Sequence, residues 1–130
     1  MPGYGERALT RFQHEAPRTR QDSPHPHTPP NYGAKQQFVK DDDSSAPLDA
    51  KGQKFIQQIT GTFLFEGRAV NSPLLVPLSS LSSEQAKPTE TTLSKARQLL
   101  DYIASQEDPI LTYHASDMIL AAHADASYLS

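Results

Sequence analysis

Cysteine and tryptophan are missing altogether from this 130-residue chain. Without cysteine there are no disulfides, no thiolate zinc sites and no cysteine nucleophile, while the compartment stays open because a reducing cytosol merely permits such a composition. Long apolar runs are missing as well. Stretches such as Leu74-Leu75-Val76 and Met118 to Ala122 fall far below the ~20 residues of a membrane helix, and no signal-peptide pattern is present. Nor is there an excess of positive charge: 12 basic and 15 acidic residues give a net charge of −3. That excludes a strongly cationic protein that coats nucleic acid by charge alone and leaves room only for a local basic patch. Hydrophobic residues make up 36% of positions, against about half in ordinary globular chains. Every isoleucine lies beyond residue 50, so the core belongs to the C-terminal part. The expectation is a soluble intracellular chain with at most one modest domain.

Met1 to Gln13 reads as a short helix, with Leu9 and Phe12 three apart beside Ala8, and Arg7 and Arg11 four apart on a polar side. From His14 to about Asp49 the pattern dissolves into Pro17, Pro24, Pro26, Pro29, Pro30 and Pro47. Such a stretch offers too little apolar area to offset the roughly 1–2 kcal/mol of backbone entropy lost per ordered residue, and is expected to be a disordered linker or a loop hugging the surface. Within it, His25-Pro26-His27 with His14 upstream invites a metal-binding reading, but a structural zinc site needs four converging ligands, and solvated histidines are the better expectation. The acidic run Asp41-Asp42-Asp43-Ser44-Ser45 lacks the alternating ligands, glycine and terminal glutamate of a calcium-binding hand, so it reads as a solvated charge run.

Regular structure resumes at Lys51. Phe55, Ile59 and Phe63, flanked by Ile56, Thr60 and Leu64, repeat along one helical face. Gly61 offers close helix approach and Gly67 a helix end. After Asn71-Ser72-Pro73, the residues Leu74, Leu75, Leu78 and Leu81 suggest a second helix, with Pro77 either early enough to be tolerated or a source of a kink. Pro88, Thr89 and Glu90 carry start signals for a third, whose stripe is Leu93, Ala96, Leu99, Leu100 and Ile103. Beyond Pro109 the period changes. Ile110 to Tyr113 and Met118 to Ala124, separated by His114-Ala115-Ser116-Asp117, predict a β-hairpin, with Asp117 in the turn. The expected fold is therefore α+β: a helical segment followed by a hairpin that begins an incomplete sheet, with a long disordered Pro-rich linker near the N-terminus.

The order of signals, Gly61-Thr62-Phe63-Leu64-Phe65, Arg68-Ala69-Val70, Pro88-Thr89-Glu90, Ala96 to Tyr102 and Ala124-Asp125-Ala126-Ser127-Tyr128, resembles the copia-type retrotransposon polyprotein across the end of its reverse transcriptase and the start of its ribonuclease H domain. Met1-Pro2-Gly3-Tyr4 and Ala8-Leu9 with Phe12 are similar to the segment after the polymerase palm in related elements. The chain departs from the family at Arg68-Ala69-Val70-Asn71, where many relatives carry Arg-Pro-Asp. The resemblance covers essentially the whole chain and divides it into the end of the polymerase region (1–13), a linker (14–50), a helical thumb- or connection-like region (51–106) and the first strands of a truncated ribonuclease H-like domain (107–130).

What the resemblance implies is a piece of a polyprotein whose parent copies RNA into DNA and hydrolyses the RNA of the hybrid. Ribonuclease H chemistry uses two metal ions about 3.5–4 Å apart, typically magnesium, held by several carboxylates. Asp125 stands where the first strand's metal-bridging aspartate would be, one catalytic and metal ligand of an incomplete set, with His123 a neighbour on the same strand face. Lys54, Arg68, Lys87, Lys95 and Arg97 are the cations available to the phosphates of a template–primer or RNA–DNA hybrid. The expected partners are that nucleic acid and the rest of the polyprotein, in the cytoplasm or a virus-like particle, and the isolated chain is expected to be inactive and to need no cofactor. A reading from another class is a non-enzymatic helical interaction module with a disordered N-terminal arm. It would dock a partner through the Phe55/Ile59/Phe63 and Leu93/Leu100/Ile103 faces.

Overall fold

Helix α2, Ala50–Ala69, is the longest element of the computed structural model, which describes residues 2–27, 33, 43–115 and 119. Asp49 caps it by accepting the Gly52 N–H at 2.7 Å, replacing one of the hydrogen bonds that a helix start lacks. Its buried positions, Ile56, Ile59, Thr60, Phe63, Glu66 and Gly67, recur at intervals of three and four and so line one side of the cylinder. Val70 closes the helix with its N–H on the Glu66 carbonyl.

A single 3-10 turn, Ser72–Leu74, reverses the chain into α3, Leu75–Glu84, which runs back along α2. Pro77 is the third residue of α3. A first-turn position has no intrahelical partner for its N–H, so the proline is accommodated without a break. Neither Gly61 nor Gly67 keeps its expected role. Gly61 faces open space, whereas a Cβ on Gly67 would sit 3.2 Å from Leu75 Cδ2 and 3.5 Å from Leu74 Cβ. Gly67 lies inside the helix, and its missing side chain is what lets α3 approach.

Helix α4, Glu90–Ser105, starts on a capping box. The Thr92 N–H donates to Thr89 Oγ1 at 3.4 Å and the Thr89 N–H donates back to Thr92 Oγ1 at 3.2 Å. Thr92 is itself buried and donates to Glu84 Oε2 at 2.9 Å, while Lys95 Nζ meets Glu84 Oε1 at 2.8 Å. The end of α3 is thereby tied to the first turns of α4. Replacing Thr89 with alanine removes the cap and is expected to cost about 1 kcal/mol in urea unfolding, with serine restoring most of it.

The core is the meeting of these three helices: Ile56, Ile59 and Phe63; Leu74, Leu78 and Leu81; Ala96, Leu99, Leu100 and Ile103. Helix α1, Tyr4–Arg11, closes one side of it and adds Ala8, with Leu9 and Phe12 packed against the cluster. The Phe12 ring lies 5.7 Å from that of Phe55, edge to face, and 6.1 Å from that of Phe63, an arrangement favoured by the ring quadrupoles. Tyr4 reaches the Thr62 carbonyl at 2.8 Å.

Two expectations are corrected. The α+β fold with a hairpin gives way to an all-helical one: among the described residues there is no strand, only an isolated bridge between Pro47 and Thr89. Residues 110–115 belong to no regular element, with Ile110 87% exposed and Tyr113 85% exposed. An apolar, aromatic run becomes a strand only where a second backbone takes up its N–H and C=O groups, and no described segment supplies one. Of the second expected strand, only Ile119 is described, and it is 73% exposed.

The other concerns the Pro-rich stretch, where residues 14–27 lie along α4 as a loop hugging the surface and not as a free, disordered linker. The Gln21 N–H donates to Ser105 Oγ at 3.0 Å, Gln98 Nε2 donates to the Ser23 carbonyl at 3.1 Å, and Gln106 Nε2 reaches the Gln21 carbonyl at 3.3 Å. Polar side chains of α4 replace the water that such a backbone otherwise needs. Residues 28–32 and 34–42 lie outside the described part.

The far end of the stretch is anchored as well. The Leu48 N–H bonds the Pro88 carbonyl at 2.9 Å and the Glu90 N–H bonds the Ala46 carbonyl at 3.0 Å. Asp43, read from sequence as part of a solvated run, accepts from Ser45 and from the Thr89 and Thr91 hydroxyls of α4's start. Those donors, Ser45 foremost, hold its carboxyl well below its ordinary value.

Candidate functional site

Helices α2 and α4 begin at one end of the body and finish together at the other, where α1 crosses their last turns. There Gly5 is buried: a Cβ on it would stand 3.3 Å from Ile103 Cγ2 and 3.8 Å from Glu66 Oε1. The absent side chain brings the α1 backbone down over the α2 and α4 ends. Between these elements and the segment 106–109 lies a cleft of about 450 Å³, lined by Leu9, Ile103 and Pro109 among apolar groups and by Glu6, Glu66, Glu107 and Asp108 among acidic ones. Among the described residues His14 is the one basic side chain in its lining, and its Nε2 lies 2.7 Å from Asp101 Oδ1. Asp108 Oδ2 accepts the Gly3 N–H at 2.6 Å.

Glu66 is the unusual member, being only 2% exposed with no hydrogen-bond partner at Oε2. Burial pushes its carboxyl above its ordinary value of 4.5, the neighbouring Asp108 charge adds to that, and a hydrogen bond with the Asn71 side chain opposes it. An ionised carboxylate loses its hydration in such a place without full replacement, which shifts its titration toward the neutral form.

The consequence for stability has a definite sign. Below pH 4.5 the group is protonated in both folded and unfolded chains. As pH rises above that value the unfolded chain ionises first, so the stabilisation held by the protonated native state is lost up to the folded-state pKa and the curve is flat above it. Glu66→Gln is expected to abolish this falling limb and to raise the Tm at pH 7. Thermal unfolding followed by circular dichroism between pH 4 and 8 checks both.

Glu66 is a functional candidate that sequence reasoning passed over. It lies three residues after Phe63, on the stripe that carries Ile56, Ile59 and Phe63. A carboxylate in line with a buried apolar face was the available signal.

The residues singled out from sequence are not brought together. Lys54, near the start of α2, shares one end of the body with Lys87, because Gln53 Nε2 donates to the Gln85 and Ala86 carbonyls at 3.2 and 3.0 Å. Arg68 is fourteen residues further along α2, about 21 Å away along the axis, and Arg97 is exposed midway along α4. Lys95 is engaged by Glu84. Asp125, His123 and Asp117 lie outside the described residues. His25 Nδ1 faces the Pro26 carbonyl at 2.8 Å, and among the described residues no group of three His, Asp or Glu side chains is arranged to hold a metal ion. No helix of the described residues is long and apolar enough to cross a membrane.

Fold and site together define an all-α helical body with an acidic cleft at one end. No protein-family model, curated protein or solved structure matches the chain.

Proposed function

We propose that this chain is the helical connecting segment of a copia-type retroelement polyprotein, joining the polymerase part to the ribonuclease H part of an enzyme that copies RNA into DNA and hydrolyses the hybrid's RNA strand. The observation that supports the reading is the correspondence between the sequence blocks that carry the resemblance and the working parts of the helices. Gly61 to Arg68 is the C-terminal part of α2, with the close approach at Gly67; Pro88-Thr89-Glu90 is the capped start of α4; Ala96 to Tyr102 includes its buried stripe. Blocks whose work is to start helices and pack them suit a connecting body more than a catalytic one.

The dispersal of Lys54, Arg68, Lys87 and Arg97 favours the same role over tracking of a phosphate backbone, which needs cations in a continuous row. In the parent, magnesium would be held by carboxylates drawn from a larger set, Asp125 among them, and the isolated chain has no RNA-cleaving activity. The alternative of docking through the Phe55/Ile59/Phe63 and Leu93/Leu100/Ile103 faces has less to support it, since those residues pack into the chain's own core.

The test is the genomic DNA on both sides, together with a cleavage assay. An upstream frame encoding paired polymerase aspartates and a downstream frame with further acidic residues are expected, as is no cleavage of an RNA–DNA hybrid in magnesium. Flanks without such coding, or cleavage that disappears in Asp125→Asn, would overturn the proposal.

A further inference from the structure

Residues 14–27 are laid on α4 through polar contacts, and we infer that Ser23 is a phosphorylation site whose modification releases this segment, independently of the polyprotein reading. Three features of the sequence meet at this residue: a hydroxyl, Pro24 directly after it, and Arg20 three positions before it. That pattern suits a kinase that selects a following proline and an upstream guanidinium. Ser23 is exposed and belongs to no helix, and Arg20 and Asp22 beside it are exposed as well. Ser72, also followed by a proline, is fixed in the 3-10 turn with its carbonyl on the Leu75 N–H. It is the poorer substrate, because phosphoryl transfer needs a hydroxyl that can be brought in line with the phosphorus. In the reaction the Ser23 oxygen bonds to the γ-phosphorus of a nucleoside triphosphate. The bond from that phosphorus to the bridging oxygen breaks, the nucleoside diphosphate leaves, and the hydroxyl proton passes to a base of the kinase.

The local geometry converts the added charge into detachment. Ser23 Oγ donates to the His25 carbonyl at 2.7 Å, and esterification removes that donor. The phosphate brings a charge of about −1.5 to −2 at pH 7, set directly beside the Asp22 carboxylate and competing with it for Arg20. Arg20 holds Asp22 at 2.7 Å and reaches Gln106 Oε1, at the end of α4, at 3.4 Å. The turn and this tie to the helix are therefore disturbed together. The other contacts of Gln21 and Ser23 with α4, from Gln98, Ser105 and Gln106, are uncharged hydrogen bonds, which exchange for bonds to water at small net cost. The released state also gains a bond, since His25 Nε2 is buried in the docked segment with no hydrogen-bond partner and is hydrated once the segment leaves.

The experiment treats the full chain with a proline-directed serine/threonine kinase and magnesium–ATP, maps phosphate by tandem mass spectrometry, and follows amide exchange by NMR. Phosphate is expected on Ser23 and not on Ser72. The Gln21 amide, which donates to Ser105 Oγ, should then exchange faster by about tenfold, while the amides of α4 keep their protection. Ser23→Ala, which loses the bond to His25 without gaining charge, should take no phosphate in this segment and keep Gln21 exchange close to wild type. A chain left unmodified at Ser23, a phosphorylated chain whose Gln21 amide exchanges at the original rate, or equal acceleration in Ser23→Ala would overturn the assignment.

Discussion

Phe63→Ala is expected to lower the free energy of unfolding by about 3–5 kcal/mol, the usual cost of removing a fully buried phenylalanine and leaving its volume unfilled. Phe63 is wholly inaccessible, sits on the buried face of α2, and meets the Phe12 ring of α1. Its loss therefore weakens the α1–α2 contact and the three-helix core together. Domains of this size hold only about 5–15 kcal/mol in total, so the variant should be close to unfolded at 37 °C. Phe65, two residues on, is the control: it is 60% exposed, with the Tyr4 ring 6.2 Å away. Phe65→Ala should cost about 1 kcal/mol or less. Urea titrations of the two variants give the comparison, and equal losses would mean that α2 presents a different face to the core.

Phe12→Ala should cost about 2 kcal/mol, less than a full core truncation because the ring is only partly buried. The distribution of that loss is more informative than its size. Phe12 is the principal aromatic link from α1 to α2, through Phe55 and Phe63, whereas α4 and α3 are held by the capping box, Glu84 and the leucine cluster. Amide exchange should accelerate in residues 4–11 while the α4 amides stay protected, because α1 can detach as a local unit. Loss of protection throughout the body would instead show that α1 is inseparable from the folding of the rest.

The positions that sequence reasoning read well are those where one residue's chemistry decides a local event. Pro88-Thr89-Glu90 marks a helix start because a threonine hydroxyl can take up an orphan N–H whatever the surroundings, and α4 begins there. Ile59, Phe63, Leu99 and Leu100 fall on buried faces because intervals of three and four are set by the helix itself. Local periodicity gave no means of telling which glycine would lie against a neighbouring helix. That depends on where α3 returns, and Gly67, not Gly61, meets Leu74 and Leu75.

The expectation of a hairpin failed for a related reason. Ile110-Leu111-Thr112-Tyr113 has a β-like composition, yet strand formation depends on a second backbone that no local pattern specifies. The composition of the Pro-rich stretch left a free linker and a surface-hugging loop both open. Its lack of apolar residues is real, but Gln98, Ser105 and Gln106 on α4 supply polar partners that bring Gln21 and Ser23 into place. Glu66 belongs with these cases, since its burial depends on the backbone of Gly5 crossing the ends of two helices distant in sequence.

The amino-acid order by itself determined where three of the helices begin and which of their faces avoid water, because caps and helical periodicity act over a few bonds. Only the tertiary structure decided that α1 and residues 14–27 are part of the same body, that 110–115 has no partner strand among the described residues, and that the Glu66 carboxyl is buried where the ends of α2 and α4 meet α1. Each of those depends on contacts between residues scores of positions apart, and it is the packing of whole helices that brings such residues together.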